Sequence, residues 1–455
     1  MTIRRACLVL SLFLVFSSAA LTAAEAKEPE RPNIVVFLAD DLGWGDLSCY
    51  GHPRIQTPSL DAFAKKGLRL TQCYAACGVC SPSRSAILTG RTPYRNGVYR
   101  WIPENHEVHL RTSEITIARL LKERGYDTCH TGKWHLNGYF NSDQQPQPDD
   151  HGYDHWFATQ NNAAPNHVNP VNFARNRKAV GPLEGNSADL VVQEGIDWLT
   201  NRKDKKRPFF MTVWTHEPHL PIETDPKFLE QYADIEDEGI RQHHGNLTQL
   251  DSAFGKLMNA LEKMGANRNT LIVFTSDNGP EGDGTKGRTR GSTGGLRGRK
   301  RHTYEGGIRV PGIFVWPGHI KAGTESDQPV IGSDIFTTIC DIVDIPLPSD
   351  RTIDGASLLP LFAGKPMTRT QPLYWRNHLA PEASRVGLRI GDWKIIGSDD
   401  LTSFELYNIA EDPRETTELS AKHPEKFAEL RQRLIDHDAA VLREGPDWWK
   451  RDPRR

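Results

Sequence analysis

Two apolar runs without alternation constrain this chain more than any other feature. They are Asn33-Ile34-Val35-Val36-Phe37-Leu38-Ala39 and Leu271-Ile272-Val273-Phe274-Thr275-Ser276. A strand with one wet face alternates apolar and polar residues, whereas a continuous run belongs to a strand buried on both faces, as in a mostly parallel sheet covered by helices. The fold class expected is therefore α/β. Each run ends in oxygen-bearing side chains, Asp40-Asp41 and Asp277-Asn278. Ligands of open α/β sheets gather beyond the carboxyl ends of the strands, so these pairs mark a site rather than two solvated turns. Four oxygen donors, with no thiolate or imidazole obliged to join them, select a hard cation such as calcium or magnesium over zinc.

Other segments fit the same architecture. Strands are expected at residues 126–131, 208–214 and 308–316, and helices at 57–67, 115–124, 188–201, 249–263, 332–343 and 424–443. Leu60, Phe63 and Leu68 form the inward stripe of the first helix, and Gly125 closes the second. A length of 455 residues fits two domains when the first is a large α/β unit. The junction is placed in residues 346–360, giving a catalytic domain at 27–360 and a smaller α+β domain at 361–455. Short strands at 388–390, 393–396 and 405–408 form a meander in the latter. The basic tail 450–455 is expected to fray.

Lysine and arginine total 56 against 58 acidic residues, a net charge of −2 that removes any global reason to bind nucleic acid or a membrane surface. Residues 1–26 have the layout of a secretory signal: Arg4 and Arg5, an apolar stretch over 7–20, then Ala24-Glu25-Ala26 as cleavage site. An uncleaved signal anchor is the alternative, and Cys7 lies too early for a lipoprotein site. No other run is long enough to span a bilayer, so an exported protein without stable membrane insertion is expected, periplasmic or secreted, or lysosomal in a eukaryote. Cys49, Cys73, Cys77, Cys80, Cys129 and Cys340 are too few for a disulfide scaffold.

Cys80-Ser81-Pro82-Ser83-Arg84, running on to Gly90, reads as a short helix starting at Cys80, with Pro82 in the first turn, Ser81 or its neighbour as cap and Gly90 as terminator. The thiol then stands at a helix N-terminus, where free N–H groups and the dipole favour an anion, and Arg84 points back from one turn on. Cys77-x2-Cys80 is also a dithiol spacing, and Cys73-x3-Cys77-x2-Cys80 an iron–sulfur spacing, but neither accounts for Pro82 and Arg84. In Gly132-Lys133-Trp134-His135-Leu136, a cation and an imidazole two residues apart in extended chain face the same way, one to hold an anionic oxygen and the other to move a proton. Residues 279–307 are glycine-rich and basic, with Lys286, Arg288, Arg290, Arg297, Arg299, Lys300 and Arg301.

Taken together, Cys80-Ser81-Pro82-Ser83-Arg84, Thr89-Gly90-Arg91, the run from Asp40 to Asp46, the Lys133 segment and His151-Gly152-Tyr153-Asp154 resemble the signatures of the type I sulfatases. So do Leu296 to Gly307 and Glu405-Leu406-Tyr407-Asn408 with Pro413. The resemblance implies an alkaline-phosphatase-like α/β/α sandwich with a smaller C-terminal domain, acting as a sulfuric ester hydrolase on a sulfated carbohydrate or aryl sulfate. It implies that a maturation enzyme oxidises Cys80 to formylglycine, and that calcium is held by Asp40, Asp41, Cys80, Asp277 and Asn278. Arg84, Lys133, His135, His219 and Lys300 are the implied catalytic groups. His219 is the histidine before x-Pro, with His216 in reserve, and Asn162 stands where some sulfatases have serine. Arg299 and Arg301 replace small residues and suggest extra anion contacts. Pro348-Ser349-Asp350-Arg351 with Ile353-Asp354-Gly355 looks closest to arylsulfatases and galactosamine-6-sulfatases. Two rivals are a phosphodiester or phosphonate monoester hydrolase using the same aldehyde, and a glycan-binding protein whose Cys80 stays a thiol.

Overall fold

The computed structural model describes residues 31–282, 290–381 and 384–451. The expected signal at 1–26, Lys286 and Arg288, and the last four residues of the basic tail lie outside them. Fifteen strands are present among the described residues: β1 Asn33–Ala39, β2 Leu68–Tyr74, β3 Asp127–Lys133, β4 His155–Thr159, β5 Ala174–Arg175, β6 Lys178–Ala179, β7 Phe209–Trp214, β8 Thr270–Ser276, β9 Arg309–Val315, β10 Thr324–Ser326, β11 Val330–Ile331, β12 Leu373–Arg376, β13 Val386–Ile390, β14 Trp393–Gly397 and β15 Phe404–Asn408.

The first eleven form one sheet in the order β10-β2-β9-β8-β1-β7-β3-β4-β5-β6, with β11 also on β2. At its centre β1 runs parallel to both β8 and β7, with Val36 opposite Val273 and Thr212, and β7 runs parallel to β3. Antiparallel β9 separates β8 from β2. Because β8, β1, β7 and β3 are neighbours of one polarity, the residues that follow them arrive at a single rim. Those residues include Asp277, Asp40 and His216, and Lys133 closes β3.

Alternate residues of β1 feed two cores. Ile34, Val36 and Leu38 join Ile87, Leu121 and Phe336 on one face, while Val35, Phe37 and Ala39 join Phe63, Leu250 and Phe254 on the other. The unalternating pattern of β1 is thus explained by helices on both sides. Phe37 meets Phe254 edge-on at 5.2 Å and stacks on Phe274 at 5.7 Å, and burial of a side chain of this size stabilises by about 1.5–3 kcal/mol. Among the described residues no helix is long and apolar enough to cross a membrane, and the six cysteines are all free.

The helix expected from residue 249 begins eleven residues earlier: it runs Glu238–Lys263, capped by the Asp237 side chain, which accepts from Ile240 N. The polar stretch His243-His244-Gly245-Asn246 broke the apolar period, yet it is buried. Strand β3 reaches Lys133, two residues past its expected end. Strands β12 to β15 make a separate antiparallel sheet joined to the long helix Pro424–Glu444. It is fastened to the larger sheet by Trp375 Nε1, which donates to Ala75 O at 2.8 Å, and by Lys394, which bonds Glu305 at 2.9 Å.

Candidate active site

The helix Cys80–Thr89 begins where expected, but the cap differs. Val79 is the N-cap and its apolar side chain makes no capping hydrogen bond, while Ser81 Oγ accepts from Ile102 N at 3.1 Å instead. The preceding turn is braced by Ser83, whose Oγ accepts from Cys77 N at 3.1 Å. Gly90 ends the helix at φ 69°, a left-handed conformation suited to glycine, and a Cβ there would also meet the Phe336 ring at 2.6 Å. Cys80 is buried, and its sulfur lies within 4.8 Å of carboxylate oxygens of Asp40 and Asp277. Burial pushes its thiol up, against the opposing pull of Lys133 and Lys300.

Arg84 reaches from the first turn to the rim. Its Nε and Nη2 donate to Asp277 Oδ2 at 2.9 and 2.7 Å, its Nη1 donates to Lys133 O at 2.9 Å, and its guanidinium lies 5.3 Å from the Trp214 ring centroid. Lys133 donates to Asp40 Oδ2 at 2.6 Å, and Lys300 donates to Asp41 Oδ2 at 2.7 Å. Glu281 lies 3.2 Å from Lys300 and 2.8 Å from Arg301. Asp40, Asp41, Asp277 and Glu281 thus face Arg84, Lys133, Lys300 and Arg301, four charges against four. Desolvating ions costs several kcal/mol each, and removing one partner of such a pair costs about 3–5 kcal/mol, so a buried cluster of this size points to chemistry rather than stability.

The carboxyl groups are pulled in different directions. Burial would raise Asp40, but Lys133, His219 and Arg84 hold it well below the usual range. Burial carries Asp41 to about 7 despite Lys300, with Asp40 adding to the rise. Asp277 is raised by burial and by Asp40 against Arg84. Glu281 drops to about 2, since Lys300 and Arg301 outweigh its burial.

The donor set fits a hard cation. Asp40 Oδ1 and Asn278 Oδ1 are buried oxygens without a hydrogen-bond partner, at the ends of two adjacent strands. Asn278 Nδ2 donates to Asp41 Oδ1 at 2.7 Å, which turns the amide oxygen the other way. Unpaired buried oxygens are costly, and a divalent ion would satisfy both. Asp41 itself has φ 64°, and its N–H donates to Asp277 Oδ1 at 3.2 Å. Cys80 groups with Asp40 and Asp277, as the resemblance implies, and an imidazole not expected among the ligands stands as close, since Asp40, Asp41 and His219 also group together.

Both histidines expected at the site are placed by carbonyls. His219 Nδ1 contacts Leu220 O, which can only accept, so Nε2 is the nitrogen turned to Asp41 Oδ2, 3.6 Å away. His135 Nε2 likewise donates to Ile102 O at 2.9 Å, leaving Nδ1 buried without a partner. The expectation of an extended Lys133-x-His135 segment is corrected here, because His135 adopts φ 56° and its N–H donates to Gln160 O. Burial, reinforced by neighbouring lysines, holds both imidazoles well below their usual range. His216 is turned away to Thr159 Oγ1 at 2.8 Å, and Asn162 donates to Leu220 O at 3.1 Å.

Arg299 does not supply the extra anion contact expected of it. Its guanidinium is spent on backbone, donating to Glu281 O and Gly291 O at 2.9 Å each. Glu281 was missed as a site member, although its place as the first acid after Asp277-Asn278 was a signal. Glu217 was missed too: its Oε1 accepts from Ser187 Oγ at 2.6 Å and Ala188 N at 2.9 Å, anchoring the His216–Pro221 loop to the start of the helix Ser187–Asn201.

A buried thiol at a helix N-terminus, with Arg84, Lys133 and Lys300 held nearby at the rim of an alkaline-phosphatase-like sheet, suits a hydrolase of anionic esters. The chain belongs to the sulfatase family and is a sulfuric ester hydrolase: the family model described as Sulfatase matches residues 32–345, and one described as N-sulphoglucosamine sulphohydrolase, C-terminal, matches residues 298–440. It is similar to N-acetylgalactosamine-6-sulfatase of Rattus norvegicus, 36% identical over 77% of this chain and 68% of the relative, and to human arylsulfatase A, 33% identical over 92% and 90%. Among solved structures it resembles Ps i-CgsB in complex with k-i-k-neocarrahexaose, with a TM-score of 0.80, 26% identity and coverage of 91% and 94%. It also resembles BT4656 in complex with its substrate D-glucosamine-2-N,6-O-disulfate, with a TM-score of 0.75, 25% identity and coverage of 92% and 99%.

Proposed function

We propose that the enzyme removes sulfate from a sulfated carbohydrate, with the residue at position 80 as nucleophile. The observation that carries this reading is the position of Cys80, at a helix N-terminus within reach of Asp40 and Asp277, with Arg84, Lys133 and Lys300 converging on the same rim. Oxidation of Cys80 to formylglycine by a maturation enzyme of the host would give an aldehyde whose hydrate supplies the attacking oxygen. Calcium, held by Asp40, Asp41, Asp277 and Asn278 beside residue 80, would supply a Lewis acid for sulfate oxygens.

The chain's own groups then divide the work. Asp277, raised by its burial, accepts the proton of the attacking oxygen. Arg84, Lys133 and Lys300 stand as preorganised donors for the charge that builds on the sulfuryl oxygens. His219, with Lys300 beside it through Asp41, delivers a proton to the departing alcohol. His135 offers Nδ1 to the proton that must leave when sulfate is released.

The choice of a sugar rests on the neighbours described with sulfated saccharides and on the N-acetylgalactosamine-6-sulfatases among the relatives. Export directed by residues 1–26, a catalytic part at 27–360 and a C-terminal part at 361–455 belong to the same proposal, the last supported by the separate sheet of β12 to β15. The test is a mass spectrum of the peptide spanning Cys80 from an active preparation, together with rates on an aryl sulfate and an aryl phosphodiester. Thiol-to-aldehyde conversion lowers the peptide mass. Full activity with unmodified cysteine would refute the nucleophile, and a faster phosphodiester rate would refute the ester class.

A further inference from the structure

A cleft of about 650 Å³ opens between the two sheets, lined from β2, β9, β12 and β13 and from the helix Pro424–Glu444, and it shares no residue with the charged cluster. Four arginines face it: Arg309, Arg369, Arg389 and Arg433. Two of them are already neutralised, Arg369 by Asp334 and Arg309 by Glu305 at 3.6 Å. The other two form no ion pair among the described residues. Arg433 is exposed at the rim, whereas Arg389 is only 1% exposed and spends its Nε on Gly391 O at 2.8 Å and its Nη1 on Tyr74. That leaves Arg389 Nη2 buried without a hydrogen-bond acceptor, and on the same lining Gln72 Oε1 is buried without a donor.

A buried guanidinium nitrogen without an acceptor is costly, and a ligand that brought an anionic oxygen to Arg389 and a hydroxyl to Gln72 would remove both defects. The remaining lining is mixed: Asp327 and Asp392 add two carboxylates, leaving the four arginines in excess, and Met367 and Ile409 offer apolar surface for a sugar face. We infer that this cleft is a second, non-catalytic site for an acidic saccharide unit, sulfated or carboxylated and of roughly disaccharide size, with Arg389 and Arg433 as its anion-binding groups. The choice of a saccharide rests on the function proposed above. The site would anchor a polymeric substrate away from the bond being cleaved.

Two substitutions at exposed lining positions test it without touching the buried scaffold: Arg433→Glu reverses a charge, and Thr370→Trp fills the cleft. With a sulfated, uronate-bearing tetrasaccharide as probe, calorimetry on the inactive full-length Cys80→Ser protein should detect two binding events, one of which each substitution weakens by about tenfold or more. That event should also weaken as salt is raised. In the active enzyme both variants should keep the aryl sulfate rate within about twofold while raising KM for the tetrasaccharide. A single binding event, or one unaffected by both variants, overturns the inference, as does an affinity insensitive to salt. Loss of aryl sulfate turnover by the unsubstituted enzyme would instead strike the proposed function and leave the binding result to be read on its own.

Discussion

Lys300 Nζ donates to Asp41 Oδ2 at 2.7 Å, and Asp41 receives Asn278 Nδ2 on its other oxygen at the same distance. Through this one carboxylate, the loop after β8 is tied to the end of β1, and Asp41 is held at φ 64°, where a residue with a Cβ is uncommon. Such backbone persists only where its surroundings over-determine it. Lys300 is therefore positioned before any substrate arrives, which is what a donor to a developing charge requires.

Lys300→Ala should lower kcat by about 10²- to 10³-fold on an aryl sulfate, the scale of a lost preorganised donor. KM should change much less, because the contact strengthens as charge moves onto the sulfuryl oxygens. Steady-state kinetics on the refolded-equivalent, thermally checked variant decide the point, and a rise in KM at unchanged kcat would reduce Lys300 to a ground-state anchor.

Asp40→Asn keeps the shape of the side chain and removes the charge that Lys133 and Arg84 hold ionised. Elemental analysis should find calcium in the native protein and at least about tenfold weaker retention in the variant, with turnover falling in parallel. A native protein that carries no divalent ion and keeps its rate after exhaustive chelation would rule out the cation.

A carboxylate far from the rim gives a pH prediction. Glu194 receives His155 Nε2 at 2.8 Å and Arg175 Nε at 2.6 Å, and although its partial burial works the other way, these partners pull it from the usual 4.5 to about 2. A folded-state value below the unfolded one means stabilisation that is complete above about pH 4.5 and lost as pH falls toward 2. Denaturant unfolding of Glu194→Gln should show a constant deficit against the parent from pH 5 to 7 that shrinks below 4.5. A deficit independent of pH would mean that the pair contributes through packing alone.

The rim was legible because parallel strands buried on both faces read as plain apolar runs, and the acids that end them have no other reason to be there. Cys80, Arg84, Lys133 and Lys300 were legible through motif spacing. What sequence could not convey was how the cations are shared among acids brought together by the fold. Arg299 and Arg301 look equivalent in sequence, yet one is consumed by carbonyls and the other pairs with Glu281. Local conformation was similarly hidden: nothing in Trp134-His135 announces the left-handed turn, which follows from bonds to Thr159 O and Gln160 O on another strand and its loop. Strands β5 and β6, two residues each, are too short to leave any pattern.

The two imidazoles allow the sharpest separation of roles. With Nδ1 turned to Leu220 O, His219 carries a proton on Nε2 only as an imidazolium, which burial and Lys300 oppose and Asp40 favours. Acting as acid, it should matter most where the leaving alcohol needs help. His219→Ala should therefore lose far more on a sugar sulfate, whose alcohol departs poorly, than on an aryl sulfate, whose phenol leaves unaided. His135, with Nε2–H fixed on Ile102 O and Nδ1 open, can only receive, so His135→Ala should slow a step common to both substrates. Rates for both variants on both substrates decide between them. Equal losses for His219→Ala across the two leaving groups would remove it as the acid and pass that role to Lys300, the nearest protonated group sharing Asp41 with it.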